Sequence, residues 1–426
     1  MTTIFLILFL LLLFGGLPVA FVLGITSLVM LAFFSGTPLL LVPEIMYNSL
    51  ASPLMMAIPF FVIAAKFMVE GGTSKHLINA ANAVTGQFKG GMGVVSIIAS
   101  IFFAAICGSS VATALAMGVV VVPAMMKIGY SRPFATGLVA ASGTMGMMIP
   151  PSLALVLYAI LTDESVPRLF LAGVAPGLLE GFLYICWIIY YSKKMGYGGE
   201  PRKGLREGAL LIIKALPAIS LPFIVLGGIY SGIVTVTEAA ALAAVTSIFI
   251  SVFVYREVRP RQLIGITAES MKSAGMIMFI IATAHVFGAW ITQAGIPASL
   301  AQMAVEYNLS WWAFLIIVNL LLIILGMFLE GASIMLITLP IFYPLLGALG
   351  IDPVHFAIII VVNSEIAMIT PPVGMNLFVL SSAAKVPLSE VARGAFPFVC
   401  LSLVELIIIT YWPDFCLFLP RILMGP

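Results

Sequence analysis

Long apolar segments interrupted by very few charges constrain the fold of this chain more than any other feature. Only 36 of its 426 residues are charged (19 Lys or Arg and 17 Asp or Glu), and 62% are hydrophobic. Because a soluble domain carries about 25% charged residues, a chain with 8% cannot cover itself with a polar surface. A helix satisfies its own backbone hydrogen bonds within the bilayer. The sequence therefore predicts a single all-α, polytopic membrane domain over residues 1–426.

The same composition excludes several classes of function. The net charge of +2 is too small and too scattered for a nucleic-acid-binding surface, so no nucleic acid partner is expected. The four cysteines are far apart in the sequence, which argues against a disulfide framework and against a zinc site. The chain has no HExxH, GxSxG or Walker A motif. We therefore predict that it is not an enzyme and that it carries no ATPase of its own.

The first apolar run extends to about Phe34. It lacks a basic n-region and is longer than the apolar core of a signal peptide. We expect one membrane helix here, bent at Gly15-Gly16 and Pro18, and not a removable targeting segment.

Positive charges indicate which loops face the cytoplasm, because short cytoplasmic loops collect Lys and Arg. No Lys or Arg occurs from 273 to 384, so the turns of that region are expected to face outward. Two basic clusters before it are separated by two apolar runs, which allows both to be cytoplasmic. The clusters are Lys193, Lys194, Arg202, Lys203, Arg206 and Lys214, followed by Arg256, Arg259, Arg261 and Lys272.

The apolar run over 94–126 has a basic residue near each end, Lys89 and Lys127, so it either crosses the membrane twice or enters it and returns. Its middle, CGSSVAT at 107–113, is a poor helix former. Each flank has about 12–13 residues, which is too short to span the bilayer alone. We therefore favour a re-entrant helical hairpin with its tip at Gly108–Thr113, lying against protein or a water-filled cavity.

Two segments of the chain share the same order of features at a constant offset of 221 residues. Gly129 aligns with Gly350, and Pro150-Pro151 aligns with Pro371-Pro372. The hairpin of the first segment has basic flanks and that of the second has none, so one is expected to open inward and the other outward. This pattern is typical of the inverted-topology repeats of secondary transporters, whose binding site lies at mid-membrane between broken helices.

The repeat predicts how the chain is organised. Each half contains a hairpin followed by a broken helix, and connecting helices at about 215–255 join the halves. The first repeat covers about 54–191, with its hairpin at 94–126 and broken helix at 134–162, and the second covers about 271–418, with its hairpin at 312–346 and broken helix at 354–384.

The two Pro-Pro breaks predict the chemistry of the site. Each pair removes two backbone donors and interrupts the preceding helix, which frees carbonyl groups before it and exposes a helix N-terminus after it. Free carbonyls and hydroxyls suit a small hard cation such as sodium, whereas helix N-termini attract an anion. The candidate hydroxyls either bind an ion or only bond back to helix carbonyls. They are Ser109, Ser110, Ser333 and Thr370.

These features favour a secondary active transporter, a cation-coupled carrier of an anion that is driven by an ion gradient. The alternatives that stay open at this point are a membrane-embedded enzyme and a channel-like anion pore.

Ionisable residues within the apolar runs are costly and commonly functional. For the glutamates we weigh a functional or gating role against a neutralised, packed carboxylate. Lys66 is expected to extend its amine to the membrane surface, and His285 to form a hydrogen bond in the core. Glu238 follows Thr235 at capping-box spacing and is expected to begin a helix. The glutamates concerned are Glu180, Glu330, Glu365 and Glu405.

Five motifs spread over essentially the whole chain resemble the large membrane subunit of tripartite ATP-independent periplasmic (TRAP) transporters, the DctM family. The overall sequence is most similar to the sialic-acid branch of that family. Glu330 departs from the Asp expected in the fourth motif and keeps its charge. The motifs are GSSVAT at 108–113, MGMMIPPS at 145–152, GIVTVTEAAA at 232–241, LEGAS at 329–333 and EIAMITPPVGMN at 365–376.

The resemblance implies a subunit of the bacterial inner membrane that works with a separate, small four-helix membrane subunit and a periplasmic substrate-binding protein. It implies sodium-coupled symport of a carboxylate by an elevator-type motion. The implied carboxylate is a sialic acid, another sugar acid or a C4-dicarboxylate. By motif position it implies substrate contacts at Thr113, Ser152 and Asn376. The implied sodium ligands are Gly108, Ser109, Ser110 and Gly143 in one site and Gly331, Ser333, Ala367 and Thr370 in the other.

Overall fold

The computed structural model describes residues 2–35, 38–199 and 204–425, and within these ranges it contains helices and no strand. Arg202 and Lys203 of the first basic cluster lie outside the described residues. The helices are α1 Thr2–Phe14, α2 Val19–Phe34, α3 Leu41–Leu50, α4 Ala57–Glu70, α5 Thr73–Thr85, α6 Gly91–Cys107, α7 Ser110–Lys127, α8 Arg132–Thr144, α9 Leu153–Thr162, α10 Val166–Met195, α11 Leu205–Tyr230, α12 Val236–Phe249, α13 Leu263–Gln293, α14 Ile296–Glu306, α15 Trp311–Gly326, α16 Gly331–Leu349, α17 Pro353–Met368, α18 Met375–Ala384, α19 Leu388–Tyr411 and α20 Pro413–Met424.

Several of these helices have the length and composition of membrane spans. Within the described ranges, eight helical segments of at least 18 residues are apolar enough to cross a bilayer. Large apolar side chains such as Phe33 and Phe223 remain exposed on their outer faces, as expected for helices whose solvent is lipid. The predicted all-α polytopic membrane fold is confirmed.

The N-terminal segment differs from its prediction. One bent helix was expected, but the structure has two helices, α1 and α2, separated at residues 15–18. Gly16 adopts a φ of +82°, a backbone conformation that favours glycine, and Pro18 is the N-cap of α2. The glycine pair and the proline together therefore end α1. A proline alone would only have bent a continuous helix.

The two halves of the chain contain the same elements in the same order. In the first, α6 and α7 are joined at Gly108-Ser109, and α8 and α9 are separated by residues 145–152. In the second, α15 and α16 are joined by residues 327–330, and α17 and α18 are separated by residues 369–374. Both breaks contain a cis Pro-Pro peptide. The structure thus interrupts a helix at each Pro-Pro pair. The predicted ranges of the hairpins, the broken helices and the repeats, and the re-entrant depth of the hairpins, remain predictions.

Three single polar residues behave as expected from their sequence context. Glu238 closes a capping box with the threonine at the start of α12. The half-buried His285 has its Nδ1 atom 3.0 Å from the carbonyl oxygen of Ile281, one turn earlier in α13. Lys66 extends to the protein surface, where its Nζ lies 2.9 Å from the Glu269 Oε2 atom.

The two halves are locked together where α8 of the first repeat crosses α19 of the second. The helices meet backbone to backbone because Gly137 faces Gly394. A Cβ atom on Gly394 would overlap the carbonyl oxygen of Pro133, and one on Gly137 would overlap the Gly394 backbone. Small residues at such crossings allow the close approach that stabilises helix pairs in membranes.

The crossing predicts a strong effect for a single methyl group. Gly394→Ala is expected to destabilise the protein by about 1–3 kcal/mol, because the backbone of α8 must shift to accommodate the added atom. The measurement is thermal unfolding of the purified protein in detergent, followed by tryptophan fluorescence.

The matched control is Gly275→Ala on α13, where an added Cβ meets no atom within 4 Å. Its melting temperature should stay the same or rise slightly, because alanine favours a helix more than glycine does. Equal melting temperatures for the two variants would contradict the close α8–α19 crossing.

Candidate functional site

The tips of both hairpins line one cavity of about 130 Å³. Glu330 is the one charged side chain among the described residues of its lining, and no lining residue is basic. The cavity therefore combines a largely apolar wall with a small number of polar groups, which is typical of a small-molecule site. The lining residues are Ile58, Gly108, Ser109, Ser110, Val111, Met147, Leu153, Ala154, Leu157, Ile277, Glu330, Gly331, Ala332 and Met368.

Three helix N-termini converge on this cavity. α7 begins at Ser110, α9 at Leu153 and α16 at Gly331, and all three residues belong to the lining. The first backbone N–H groups of a helix have no partner within the helix, and the helix dipole places partial positive charge there. Each of the three N-termini therefore places partial positive charge at the cavity lining, where no basic side chain is present among the described residues.

In the first half-site, the hairpin tip packs directly on the break. Gly108 has a φ of +58°, and its carbonyl oxygen accepts a hydrogen bond from the Leu153 N–H at 3.3 Å. A Cβ on Gly108 would lie 2.7 Å from the Pro151 carbonyl oxygen. Similarly, a Cβ on Gly143 would lie 2.7 Å from that of Ala114. Glycine is thus required at both positions for the tip of the hairpin and the break to approach each other.

The second half-site repeats this contact. The Val373 N–H in the second break donates to the Met327 carbonyl oxygen in the second tip at 3.1 Å. A Cβ on Gly326 would overlap the side chain of Ala367. Each break therefore receives a backbone hydrogen bond partner from the tip of its own hairpin.

The structure brings half of the predicted sodium ligands to the cavity. Gly108, Ser109, Ser110 and Gly331 line it. The other four do not belong to the lining: Gly143 lies on α8, Ser333 on α16, Ala367 on α17, and Thr370 in the second break.

Two of the candidate hydroxyls bond to the backbone of an adjoining helix. The Thr370 hydroxyl donates to the Ile366 carbonyl at 2.6 Å, and the Ser109 hydroxyl accepts from the Ala112 N–H as the N-cap of α7. Ser110 and Ser333 are both 4% exposed. Among the described residues, no group of His, Cys, Asp and Glu side chains is arranged to hold a metal, so a cation here would rely on neutral oxygen atoms and Glu330.

The predicted substrate contacts are engaged within the protein. The Thr113 hydroxyl donates to the Ser109 carbonyl at 2.8 Å, and the Ser152 hydroxyl donates to the Met147 carbonyl. Asn376 is fully buried at the start of α18. None of the three belongs to the cavity lining.

Asn376 connects the two repeats. Its side-chain nitrogen donates to the Ser110 Oγ at 2.8 Å and to the Ala140 carbonyl oxygen at 2.9 Å. A residue of the second repeat therefore fixes the hairpin tip of the first against α8. The sequence motif identified Asn376, but its connection to Ser110 joins residues 266 positions apart and depends on the packing of α18 against α7 and α8.

Two methionines that the sequence analysis did not select occupy equivalent positions at the cavity. Met147 and Met368 both line it, and they are separated by the repeat offset of 221 residues. The alignment of the repeats therefore contained the signal for this pair. Their flexible side chains adapt to ligands of different shape.

The two breaks differ in their surroundings. All residues from 145 to 152 are buried, whereas Pro371, Pro372 and Val373 are exposed. The first break is thus enclosed by protein, whereas residues 371–373 of the second break lie at the protein surface.

The Asn376 connection predicts a measurable coupling between the repeats. Asn376→Ala and Ser110→Ala should together cost less stability than the sum of their separate effects. Interhelical hydrogen bonds in membrane proteins contribute about 0.6 kcal/mol on average and at most about 1.7 kcal/mol. A double-mutant cycle on thermal or denaturant unfolding measures this coupling.

The control cycle pairs Asn376→Ala with Ser109→Ala, because Ser109 is adjacent in sequence but bonds to its own helix. Its coupling should be close to zero. An Asn376–Ser110 coupling no larger than that of the control pair would refute the inter-repeat hydrogen bond.

Comparison with known proteins identifies a single family. The family model described as "Tripartite ATP-independent periplasmic transporter, DctM component" matches residues 6–415. The chain is 46% identical over 367 residues to the C4-dicarboxylate TRAP transporter large permease protein DctM of Pseudomonas aeruginosa, covering 86% of each chain. It is 40% identical over 432 residues to the protein of the same description from Vibrio cholerae, covering 96% of this chain and 95% of that protein.

The sialic acid TRAP transporter large permease protein SiaM of Vibrio cholerae is 32% identical over 414 residues, covering 97% of each chain. Among solved structures, the Alcanivorax borkumensis YdaH transporter matches with a TM-score of 0.66 at 15% identity, covering 97% of this chain and 98% of that one. At this identity the likeness concerns the fold alone.

Proposed function

The chain belongs to the DctM family of tripartite ATP-independent periplasmic transporters, and we propose that it is the large permease for sodium-coupled uptake of a carboxylate. Its relatives are named as transporter permeases and not as enzymes, so the chain is not an enzyme. Under this proposal the membrane is the bacterial inner membrane, and the partners are a separate small membrane subunit and a periplasmic binding protein that delivers the substrate.

The observation that carries the proposal is the convergence of three helix N-termini on one cavity. α7, α9 and α16 point their partial positive charges at the same space, and partly positive helix ends bind carboxylates and phosphates. A cation as the main cargo would instead favour helix C-termini or several carboxylates. The geometry therefore supports an anionic substrate.

Sodium is proposed as the coupling ion because the cavity offers it oxygen atoms. The Ser109 and Ser110 hydroxyls and the Glu330 carboxyl group line the cavity and are hard oxygen donors. Glu330 would repel a carboxylate that entered alone. A cation bound beside it would remove this repulsion, so that the ion and the anion favour each other's binding.

The proposed substrate is a C4-dicarboxylate, with a sialic acid as the second candidate. The relatives named for C4-dicarboxylates share 46% and 40% identity with this chain, against 32% for the relative named for sialic acid. These identities favour the C4-dicarboxylate branch over the sialic-acid branch that the sequence analysis selected. The cavity of about 130 Å³ also suits a compact solute. Movement of the hairpin-bearing part against the remaining helices, as in elevator carriers, would then expose the site to each side in turn.

The test is uptake by proteoliposomes that contain this chain with its small membrane subunit and a loaded binding protein. With an inward sodium gradient we expect accumulation of succinate against its own gradient. Replacing sodium by potassium should abolish that accumulation, because the driving force of one charge is about 2.3 kcal/mol per 100 mV and requires an ion that the site accepts.

Competition with unlabelled sialic acid and with unlabelled malate identifies the substrate class. Uptake of comparable size in potassium would disprove sodium coupling. Single-channel currents without accumulation would favour the channel-like pore.

The assignment of the half-sites predicts the effect of two substitutions. Ser110→Ala and Ser333→Ala should each raise the sodium concentration for half-maximal uptake by about tenfold, the factor that corresponds to a loss of about 1.4 kcal/mol in binding free energy. The measurement is the initial uptake rate over a sodium titration at saturating substrate.

Ser382→Ala is the control, because Ser382 is an exposed serine on α18 and its removal should leave the titration unchanged. If neither Ser110→Ala nor Ser333→Ala shifts the sodium titration relative to this control, these serines are not sodium ligands.

A further inference from the structure

A groove at the surface of the protein runs between α7 of the first half and α18 of the second. It has a volume of about 550 Å³, which lies within the usual range of small-molecule sites. One wall is α7 from Gly118 to Lys127, and the other is the end of α18 with Lys385 directly after it. We refer to this space as the dilysine groove, after Lys127 and Lys385.

Small residues and the short length of α18 leave the dilysine groove open. The two helices approach closely at Gly118, where a Cβ atom would lie 2.7 Å from a methyl carbon of Leu380. Beyond this contact α18 contributes only Ala383 and Ala384 to the lining, and the helix then ends. The last turns of α7 therefore have little protein beside them on this face.

The lining changes from apolar to cationic along the groove. Val119 and Met126 on α7 are apolar and remain 59% and 38% exposed. Both lysines lie at helix C-terminal ends, because Lys127 is the last residue of α7 and Lys385 is the C-cap of α18. No lining residue is acidic in the part of the chain that the structure describes. The groove therefore matches a ligand with a long apolar part and a negatively charged end.

Neither lysine is neutralised by a carboxylate of the protein. The ion pairs among the described residues do not include Lys127 or Lys385, and both side chains are exposed. Lys385 also has a φ of +53°, a conformation that glycine or asparagine adopts more easily. The backbone thus does not favour lysine at this position, and the ammonium group is what the residue adds to the groove.

The surroundings of the groove add positive charge at the same end of the protein. Arg132 begins α8 and Arg393 lies in the first turns of α19, two helices that cross near these residues. Over 127–132 and 385–393 the chain has four basic residues and one acidic residue, Glu390. Short loops with an excess of basic residues face the cytoplasm, where anionic lipids attract basic segments.

The length of the groove matches one leaflet of a bilayer. Lys127 lies nine residues after Gly118, which corresponds to about 14 Å of helix. The hydrocarbon core is about 30 Å thick, so one leaflet contributes about 15 Å. Because α7 has the length and composition of a membrane span, a phospholipid whose headgroup meets the lysines would place an acyl chain along the whole groove.

We propose that the dilysine groove binds an anionic phospholipid, with Lys127 and Lys385 at its phosphate group and an acyl chain between α7 and α18. Basic pockets between membrane helices on the cytoplasmic side suit such headgroups. The lipid connects the two halves of the chain at this end. At the other end, the Asn376 side chain on α18 already donates a hydrogen bond to Ser110 at the start of α7. A lipid that binds only when both helices are packed stabilises the folded state.

The first test measures lipid binding by native mass spectrometry of the full-length protein in detergent, with phosphatidylglycerol or phosphatidylcholine added. Phosphatidylglycerol should bind more tightly. Lys127→Gln and Lys385→Gln should each weaken its binding about fivefold, and the double variant about thirtyfold, the factors expected when each basic residue attracts the anionic headgroup. Lys127→Arg with Lys385→Arg should keep the binding, because the charge is retained.

The matched control is the double variant Lys193→Gln and Lys194→Gln in the last turn of α10. It removes the same charge from the C-terminal end of another helix, and the affinity for phosphatidylglycerol should not change. Equal affinity of the wild type for the two lipids would overturn the proposal. An equal loss of affinity in the control would do so as well, because the attraction would then come from the net charge of the protein.

Ala383→Leu tests the apolar part of the groove. The larger side chain would occupy the space of the acyl chain without changing any charge, so phosphatidylglycerol should bind more weakly although both lysines are present. Ala209→Leu, at an exposed alanine on α11, is the control and should bind as the wild type does. Unchanged binding by Ala383→Leu would show that the lipid does not lie in the groove.

Thermal unfolding separates a lipid from a free anion. Phosphatidylglycerol should raise the melting temperature of the wild type and should not raise that of the Lys127→Gln and Lys385→Gln double variant. Inorganic phosphate at the same concentration should raise neither, and an equal rise with phosphate would refute the lipid as the occupant. Neither measurement needs substrate, sodium or a partner subunit, so the outcome is independent of the proposed function.

Discussion

Pairing of the backbone at the two helix breaks is the constraint on which the rest of this structure depends. Polar backbone groups exposed to lipid would each cost several kcal/mol, so a break within the bilayer is possible only if another part of the protein pairs with it. Each hairpin tip meets this need for its own half: Gly108 accepts from Leu153, and Met327 accepts from Val373. Each hairpin tip therefore stabilises the broken helix of its own half through a backbone hydrogen bond.

The same constraint explains the position of the cavity. In the first repeat, α7 is the second helix of the hairpin and α9 is the helix that follows the break. Pairing of the hairpin tip with the break brings the N-termini of these two helices together, at Ser110 and Leu153. α16 reaches the same space from the second repeat. Backbone pairing between hairpin and break thus also brings partly positive helix ends together between the repeats, which is the feature that the proposed carboxylate site uses.

Sequence reasoning located the elements but not their mutual contacts. The helix breaks could be predicted because Pro-Pro pairs and glycines act locally through φ and the missing N–H, and the capping box at Glu238 is local for the same reason. Asn376 illustrates the limit: its motif was visible, but its bond to Ser110 joins the two repeats. The separation of α1 from α2 was missed because Gly15, Gly16 and Pro18 act together, whereas each alone would permit a bent helix. Single-sequence reasoning also recognised the buried glutamates without showing that three of them share one region of the core, namely Glu180, Glu365 and Glu405.

Charge balance in the cavity bears on how many ions accompany a substrate. A helix N-terminus is equivalent to about half a positive charge, so three of them contribute about 1.5, which Glu330 reduces to about 0.5. A dicarboxylate brings two negative charges, and the cavity lining has no basic residue among the described ones to balance them. One sodium ion would still leave a net charge of about −0.5, whereas two would leave about +0.5 on the same count. Under the proposed function, two cations are therefore the smallest number that lets a dicarboxylate enter this low-dielectric space without an uncompensated negative charge. One cation per half-site would supply this number, and both breaks would then take part in the coupling.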